Sequence, residues 1–99
     1  MSFYRFSTQA NLDIEAIANY ISDLNPLAAD HFLSKLDEIC ELLAKHPGLG
    51  RLRPTLGPGL RSFPIGNFLI FYVVKPEEIN VVRVLYGGRD LPAAFFGEL

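Results

Sequence analysis

Seven successive residues, Phe68-Leu69-Ile70-Phe71-Tyr72-Val73-Val74, carry apolar or aromatic side chains without a break. In an extended strand, neighbouring side chains point to opposite faces. This segment therefore needs cover on both sides and reads as the central strand of a sheet. Its flanks are punctuated. Gly66-Asn67, two residues that tolerate positive φ, makes a two-residue hairpin turn from a strand at Leu60–Ile65. Lys75–Glu78 turns the chain into a third strand, Ile79–Tyr86. Pro64 has no N–H for a ladder, which puts its end of the first strand at a sheet edge or a bulge. Simple alternation puts Arg83 on one face with Ile79, Val81 and Leu85, and Tyr86 on the other with Val82 and Val84.

The N-terminal half supplies the cover. Phe3-Tyr4-Arg5-Phe6 is a short aromatic strand, and Ser7 or Thr8 caps the helix after it. Leu12 or Ile14, then Ile17, Tyr20, Ile21 and Leu24 recur at helical steps. Asn25-Pro26 is a boundary: Asn is a favoured N-cap, and Pro fits the first helical position, where its missing N–H is unpaired anyway. Ala29, Phe32, Leu33, Leu36, Ile39, Cys40 and Leu43 form the second stripe, which Pro47-Gly48 ends. So short a link makes the two helices an antiparallel hairpin, and neither stripe is hidden without a sheet. Residues 47–59 read as a loop. The tail from Asp90 reads as a short helix, capped by Asp90, with Leu91, Phe95 and Phe96 as its apolar face. The expected fold is α+β: an N-terminal strand, a helical hairpin on a twisted antiparallel sheet, and a short C-terminal helix, all in one domain over residues 1–99.

Charge is unevenly spread. The formal net charge is −2, which weighs against a general polyanion binder. Residues 1–46 hold three basic against seven acidic side chains, and residues 47–99 hold six against four. The strand-rich half is therefore the basic one. Half the chain is hydrophobic, with eight Phe. A dense core and an apolar surface covered by a partner both account for that. The single Cys40 excludes an intramolecular disulfide and sits on the helical stripe as a small core residue. No apolar run approaches the roughly 18 residues of a membrane span, and no signal-peptide pattern opens the chain. A cytoplasmic location is expected.

Most catalytic constellations are missing. His31 and His46 share one helix about 22 Å apart and cannot bind one metal, so no metal or other cofactor is expected. There is no Gly-x-Ser-x-Gly elbow, and Gly48-Leu49-Gly50 lacks the pattern of a phosphate loop. What remains is an arginine set, Arg51, Arg53, Arg61, Arg83 and Arg89, with Tyr72 and Tyr86. Three roles suit such a set: solvated or ion-paired surface charges, a recognition patch for an acidic protein or DNA complex, or a metal-free ribonuclease site. The last needs a base for the 2′-hydroxyl, cations on the phosphorane and an acid for the leaving oxygen.

Several motifs carry a family resemblance over nearly the whole chain. They are Leu42-Leu43-x-x-x-Pro47-x-x-Gly50, Arg61-Ser62-x-Pro64-Ile65-Gly66-Asn67-Phe68-Leu69-Ile70-Phe71-Tyr72, and Val82-x-Val84-Leu85-x-Gly87-Gly88-Arg89-Asp90-Leu91. With a first helix over Thr8–Ile21, the chain resembles the RelE/ParE toxin superfamily, and its ParE branch more than its RelE branch. The ParE resemblance implies a non-enzymatic poison of DNA gyrase, neutralised by a ParD-like antitoxin whose unfolded tail folds onto the toxin. RelE-type ribonucleases carry two basic residues before the glycine hairpin, where this chain has Arg61 and Gly59. They carry an arginine early in the next strand, where Phe68-Leu69 stands, and a tyrosine after the tip, where Phe95 stands. Their tip arginine is matched by Arg89. Tyr86 stands where many relatives have His. On this reading Arg61, Arg83, Arg89, Phe95 and Phe96 contact the target, and Phe3, Tyr20, Phe32 and Tyr72 are exposed contacts for the antitoxin. The alternatives are a ribosome-dependent mRNA endonuclease centred on Arg61, Tyr86 and Arg89, and a degenerate toxin that survives as a binding partner.

Overall fold

The computed structural model describes residues 3–96, the side chain of Phe96 excepted. The elements are β1 (Phe3–Phe6), α1 (Thr8–Leu24), α2 (Pro26–Lys45), a 3-10 turn (Pro47–Leu49), β2 (Arg51–Leu52), β3 (Arg61–Ile65), β4 (Phe68–Val74), β5 (Glu78–Tyr86) and α3 (Leu91–Phe96). One sheet runs in the order β1-β5-β4-β3-β2. The α+β class and the order of elements agree with the sequence reading, with two refinements. The two-residue strand β2 lies inside the segment read as loop and pairs with Ser62 and Arg61. And β1 runs parallel to β5, so the sheet is mixed. A parallel pair needs a long crossover, and both helices and three strands lie between these two.

Local chemistry sets the boundaries. The Ser7 hydroxyl accepts from the Ala10 N–H at 3.0 Å and caps α1. Asn25 closes α1 and opens α2, its side chain accepting from the N–H groups of Leu27 and Ala28. In the β3–β4 turn Gly66 alone takes a positive φ, at 58°, so Asn67 needs no left-handed conformation. Pro64 sits where β2 has ended and β3 is the sheet edge, which answers its missing N–H.

The double-sided cover of β4 is real. On one face Ile70 and Tyr72 join Ile65, Ile79, Val81 and Val84 under Phe32, Leu36, Ile39, Cys40 and Leu43 of α2 and Ala10 of α1. On the other, Phe71 joins Leu56, Leu60 and Leu85, with Phe95 of α3 packed on them. Burying each such side chain contributes about 1.5–3 kcal/mol. In α1, Ile14, Ile17 and Ile21 pack on the core, whereas Tyr20 and Leu24 from the same stripe are 65% and 73% exposed. The apolar stripe is wider than the surface that covers it.

β5 departs from simple alternation. Tyr72 pairs with Val81, but Phe71 pairs with Arg83, which leaves Val82 as an extra residue. One inserted residue exchanges the two faces of everything beyond it. Ile79, Val81 and Val84 therefore face the helices, while Arg83 and Leu85 turn to the α3 side. This corrects the expectation that Arg83 shares a face with Ile79 and Val81. Among the described residues, no helix is long and apolar enough to cross a membrane.

Candidate functional site

The most prominent feature is the tip that follows β5. The Gly87 N–H donates to the Asn67 carbonyl at 2.8 Å, and the Arg89 N–H donates to the Tyr86 carbonyl at 3.1 Å. The turn is thus tied to the β3–β4 hairpin and leaves the Arg89 side chain exposed. Tyr86 is 55% exposed. Its ring meets Phe68 edge-on at 6.1 Å, and Phe68 meets Phe32 at 5.7 Å. An aromatic ladder therefore runs from the core to the base of the tip. Beside it lies an apolar groove of about 550 Å³ lined by Ala16, Ile17, Tyr20, Ile21, Asn67, Phe68 and Tyr86.

Arg83 does not belong to that exposed surface. Its Nε and Nη2 donate to the two carboxylate oxygens of Asp13 in α1, at 2.7 and 3.1 Å, and its Nη1 donates to the Ala94 carbonyl in α3 at 3.2 Å. The side chains of Arg83 and Asp13 are only 20% and 11% exposed. Asp13 Oδ2 also accepts from the Val84 N–H at 3.1 Å. The reason lies in the topology. β1 pairs with β5 only as far as Val81, after which the chain leaves through Ser7 into α1. From there on, among the described residues, β5 has no strand neighbour on that side, and the Asp13 carboxylate takes the place of a ladder carbonyl. A bidentate guanidinium–carboxylate pair is a strong and directional contact.

Arg61 is also engaged internally. Its Nη1 donates to the Gly50 carbonyl at 2.7 Å and to the Gly48 carbonyl at 3.3 Å. The same 47–50 segment is pinned by Tyr72, whose buried hydroxyl donates to the Pro47 carbonyl at 2.7 Å and accepts from the Gly50 N–H at 2.8 Å. Gly50 has to be glycine here, because a Cβ would overlap the Tyr72 hydroxyl. Burial pushes the Tyr72 phenol above its ordinary pKa, opposed by the Gly50 N–H and the nearby Arg61. Arg53 donates to the buried Ser62 hydroxyl at 2.8 Å.

The three target-contact arginines are therefore not brought together. Arg61 pairs with Tyr72, whereas the tip follows Tyr86, which pairs with Phe68. Four residues of β4 separate those rungs, about 13 Å. The same rungs separate Arg61 from Tyr86 in a would-be catalytic group. Phe95 packs edge-on against Phe71 at 4.9 Å and is half-buried. The Phe96 side chain lies outside the described residues. Of the expected antitoxin contacts, Phe3 and Tyr20 are 52% and 65% exposed, but Phe32 and Tyr72 are interior, at 9% and 0%. Phe32 turns inward because helical spacing groups it with Leu36, Ile39 and Leu43. Tyr72 does so because β4 is central and covered on both faces. Asp13 was not singled out in the sequence. The visible signal for it is an acidic residue in the first helix beside a strand arginine, and that signal has no meaning without the bulge.

Comparison with known proteins bears on this arrangement. A family described as the ParE toxin of the type II toxin–antitoxin system parDE matches residues 4–91. The chain belongs to the ParE toxin family. Toxin ParE1 of Caulobacter vibrioides is 32% identical over 95 residues, covering 94% of this chain and 97% of that toxin. Toxin ParE3 of the same organism is 33% identical over 61 residues, spanning 62% of this chain and 61% of that toxin. Toxin RelE2 of that organism is 31% identical over 81 residues, covering 82% of this ParE-family chain and 90% of RelE2. A solved structure of the chromosomal ParDE system from P. aeruginosa matches with a TM-score of 0.72 at 25% identity, covering 87% of this chain and 96% of that one.

Proposed function

We propose that this ParE-family toxin acts by binding rather than by cutting RNA, that its target is DNA gyrase, and that a ParD-like antitoxin neutralises it. The observation that carries this reading is the disposition of the cations. Arg83 and Arg61 are committed to Asp13, Ala94 and the Gly48 and Gly50 carbonyls, so the exposed Arg89 stands apart from them on a braced tip. Metal-free strand scission needs a base, an acid and phosphate-binding cations converging on one bond, and about 13 Å of sheet separates Arg61 from the Tyr86 end of β5. Recognition by adhesion needs no such convergence. It is served by an exposed cation beside Tyr86 and the apolar groove. Family membership supports the antitoxin partner. So do the exposed Phe3, Tyr20, Leu24 and Leu27, apolar surface of the kind a folding tail covers.

The test uses two assays on the same purified protein. Inhibition of gyrase supercoiling, with no cleavage of ribosome-bound message, is the expected result. Cleavage of message with supercoiling intact would replace this reading with the endonuclease one.

A further inference from the structure

Asp13, Arg83 and the Ala94 carbonyl form a contact for which binding at the tip leaves no direct role. α3 has six residues, Leu91–Phe96, far below the length at which a helix is stable by itself. Its hold on the sheet comes from named contacts. Leu91, Ala94 and Phe95 pack on the second core. Asp90 caps its first turn through the Ala93 N–H at 3.3 Å. Among the described residues, Arg83 supplies the one polar tether between α3 and β5, at 3.2 Å. That tether is itself fixed by the fork to Asp13. The clamp thus runs from α1 on one face of the sheet, around the open edge of β5, to α3 on the other. The tip, Gly87 to Asp90, is the short connection between β5 and α3. With both of its ends held, the orientation of Arg89 is set. With α3 released, the connection is held at one end alone, by the Gly87 N–H to the Asn67 carbonyl and the Arg89 N–H to the Tyr86 carbonyl, and the flexibility of Gly87-Gly88 spreads Arg89 over more orientations.

We propose that Asp13 and Arg83 are positioning residues for the toxic surface: together they hold α3, and through it the Tyr86–Arg89 tip, in the orientation the target recognises, without touching the target. This rests on the tip being a contact surface, as proposed above, but not on the target being gyrase. Rigidifying a contact loop in its bound orientation raises affinity by removing an ordering cost at association. The bulge at Val82 is what makes the device possible, because it carries Arg83 out of the helix-side core to the edge where both partners are in reach.

Arg83→Lys isolates the tether. A lysine keeps a cation for Asp13, but its ammonium lacks the planar fork that bonds a carboxylate and a carbonyl together. Three measurements on Arg83→Lys and wild type decide the matter: amide hydrogen exchange, growth arrest on expression, and affinity for a cognate antitoxin peptide. The expected result is exchange at Ala93 and Ala94 faster by at least tenfold, with the slow amides of β4 nearly unchanged. Growth arrest should weaken markedly at equal protein level, with antitoxin affinity retained. Asp13→Asn, which keeps the shape and loses the charge, should show the same pattern more weakly. Unchanged exchange in α3, or faster exchange with full toxicity, would overturn the proposal. A wild-type chain that arrests growth without inhibiting gyrase would remove the gyrase reading and leave this prediction standing. A wild type that arrests nothing removes both.

Discussion

Tyr72→Phe is the sharpest test of how this fold is held, because it removes one oxygen and leaves the ring in place. The phenol is fully buried in the centre of the sheet. Its hydroxyl donates to the Pro47 carbonyl and accepts from the Gly50 N–H, at 2.7 and 2.8 Å. Phenylalanine conserves the apolar packing and strands both backbone groups. A buried polar group left without a partner costs about 1–3 kcal/mol. The Pro47 carbonyl lies beside exposed Gly48, within reach of solvent, so it belongs near the low end, whereas Gly50 is buried. The sum is about 2–3 kcal/mol. Unfolding entropy of about 2.1 cal/mol/K per residue gives roughly 0.2 kcal/mol/K for a chain of this length, and hence a drop in Tm of about 10–15 °C. Urea melts followed by circular dichroism should show a lower midpoint at unchanged slope. Gly50→Ala is the companion variant. It keeps the hydroxyl but sets a methyl against the Tyr72 hydroxyl and ring, so it should destabilise by pushing the phenol out of line with its two backbone partners. A loss below about 0.5 kcal/mol for Tyr72→Phe would mean that the 47–50 segment relaxes freely, and the pinning argument would be wrong.

Other outcomes follow from burial and charge. Phe32→Leu should lower stability by about 1–1.5 kcal/mol without changing affinity for an antitoxin peptide, whereas Tyr20→Ala should leave stability within about 0.5 kcal/mol and weaken that affinity at least tenfold. Isothermal titration with parallel melts reads both, and equal effects on affinity would refute the assignment of faces. Burial, with Asp37 adding to it, pushes the Cys40 thiol from 9.0 up to about 12. In the native state the thiol stays protonated where the unfolded chain ionises. Its contribution is therefore fully present below about pH 9 and is lost as pH rises from there towards 12; the raised Tyr72 phenol acts in the same direction. Native protein should resist thiol reagents, and Cys40→Ala should flatten the alkaline decline in stability. Rapid labelling of folded protein would contradict this.

Much of the fold was legible locally because its determinants are local. An unbroken apolar run demands cover on two sides, and Phe71 and Tyr72 do lie in different cores. Ser7, Asn25-Pro26 and Asp90 cap because short polar side chains satisfy orphan N–H groups wherever helices begin. Gly66 turns the chain because it alone adopts the left-handed region cheaply. The site was less legible. Composition marks Arg61, Arg83, Arg89, Phe32, Tyr72 and Phe95 as capable of contact, and that is all a residue type conveys.

The amino-acid sequence by itself determined the order of the helices and of the longer strands along the chain, the helical hairpin, the turns and the family. Tertiary structure alone decided which of those capable side chains meet water. A single extra residue at Val82 reverses the faces of β5, and a parallel β1 that stops at Val81 leaves an edge for Asp13 to fill. The first depends on register between two neighbouring strands, the second on register between segments some seventy residues apart. Periodicity within one segment carries no information about where its neighbour begins and ends, so the fate of Arg83 was set only when the strands paired.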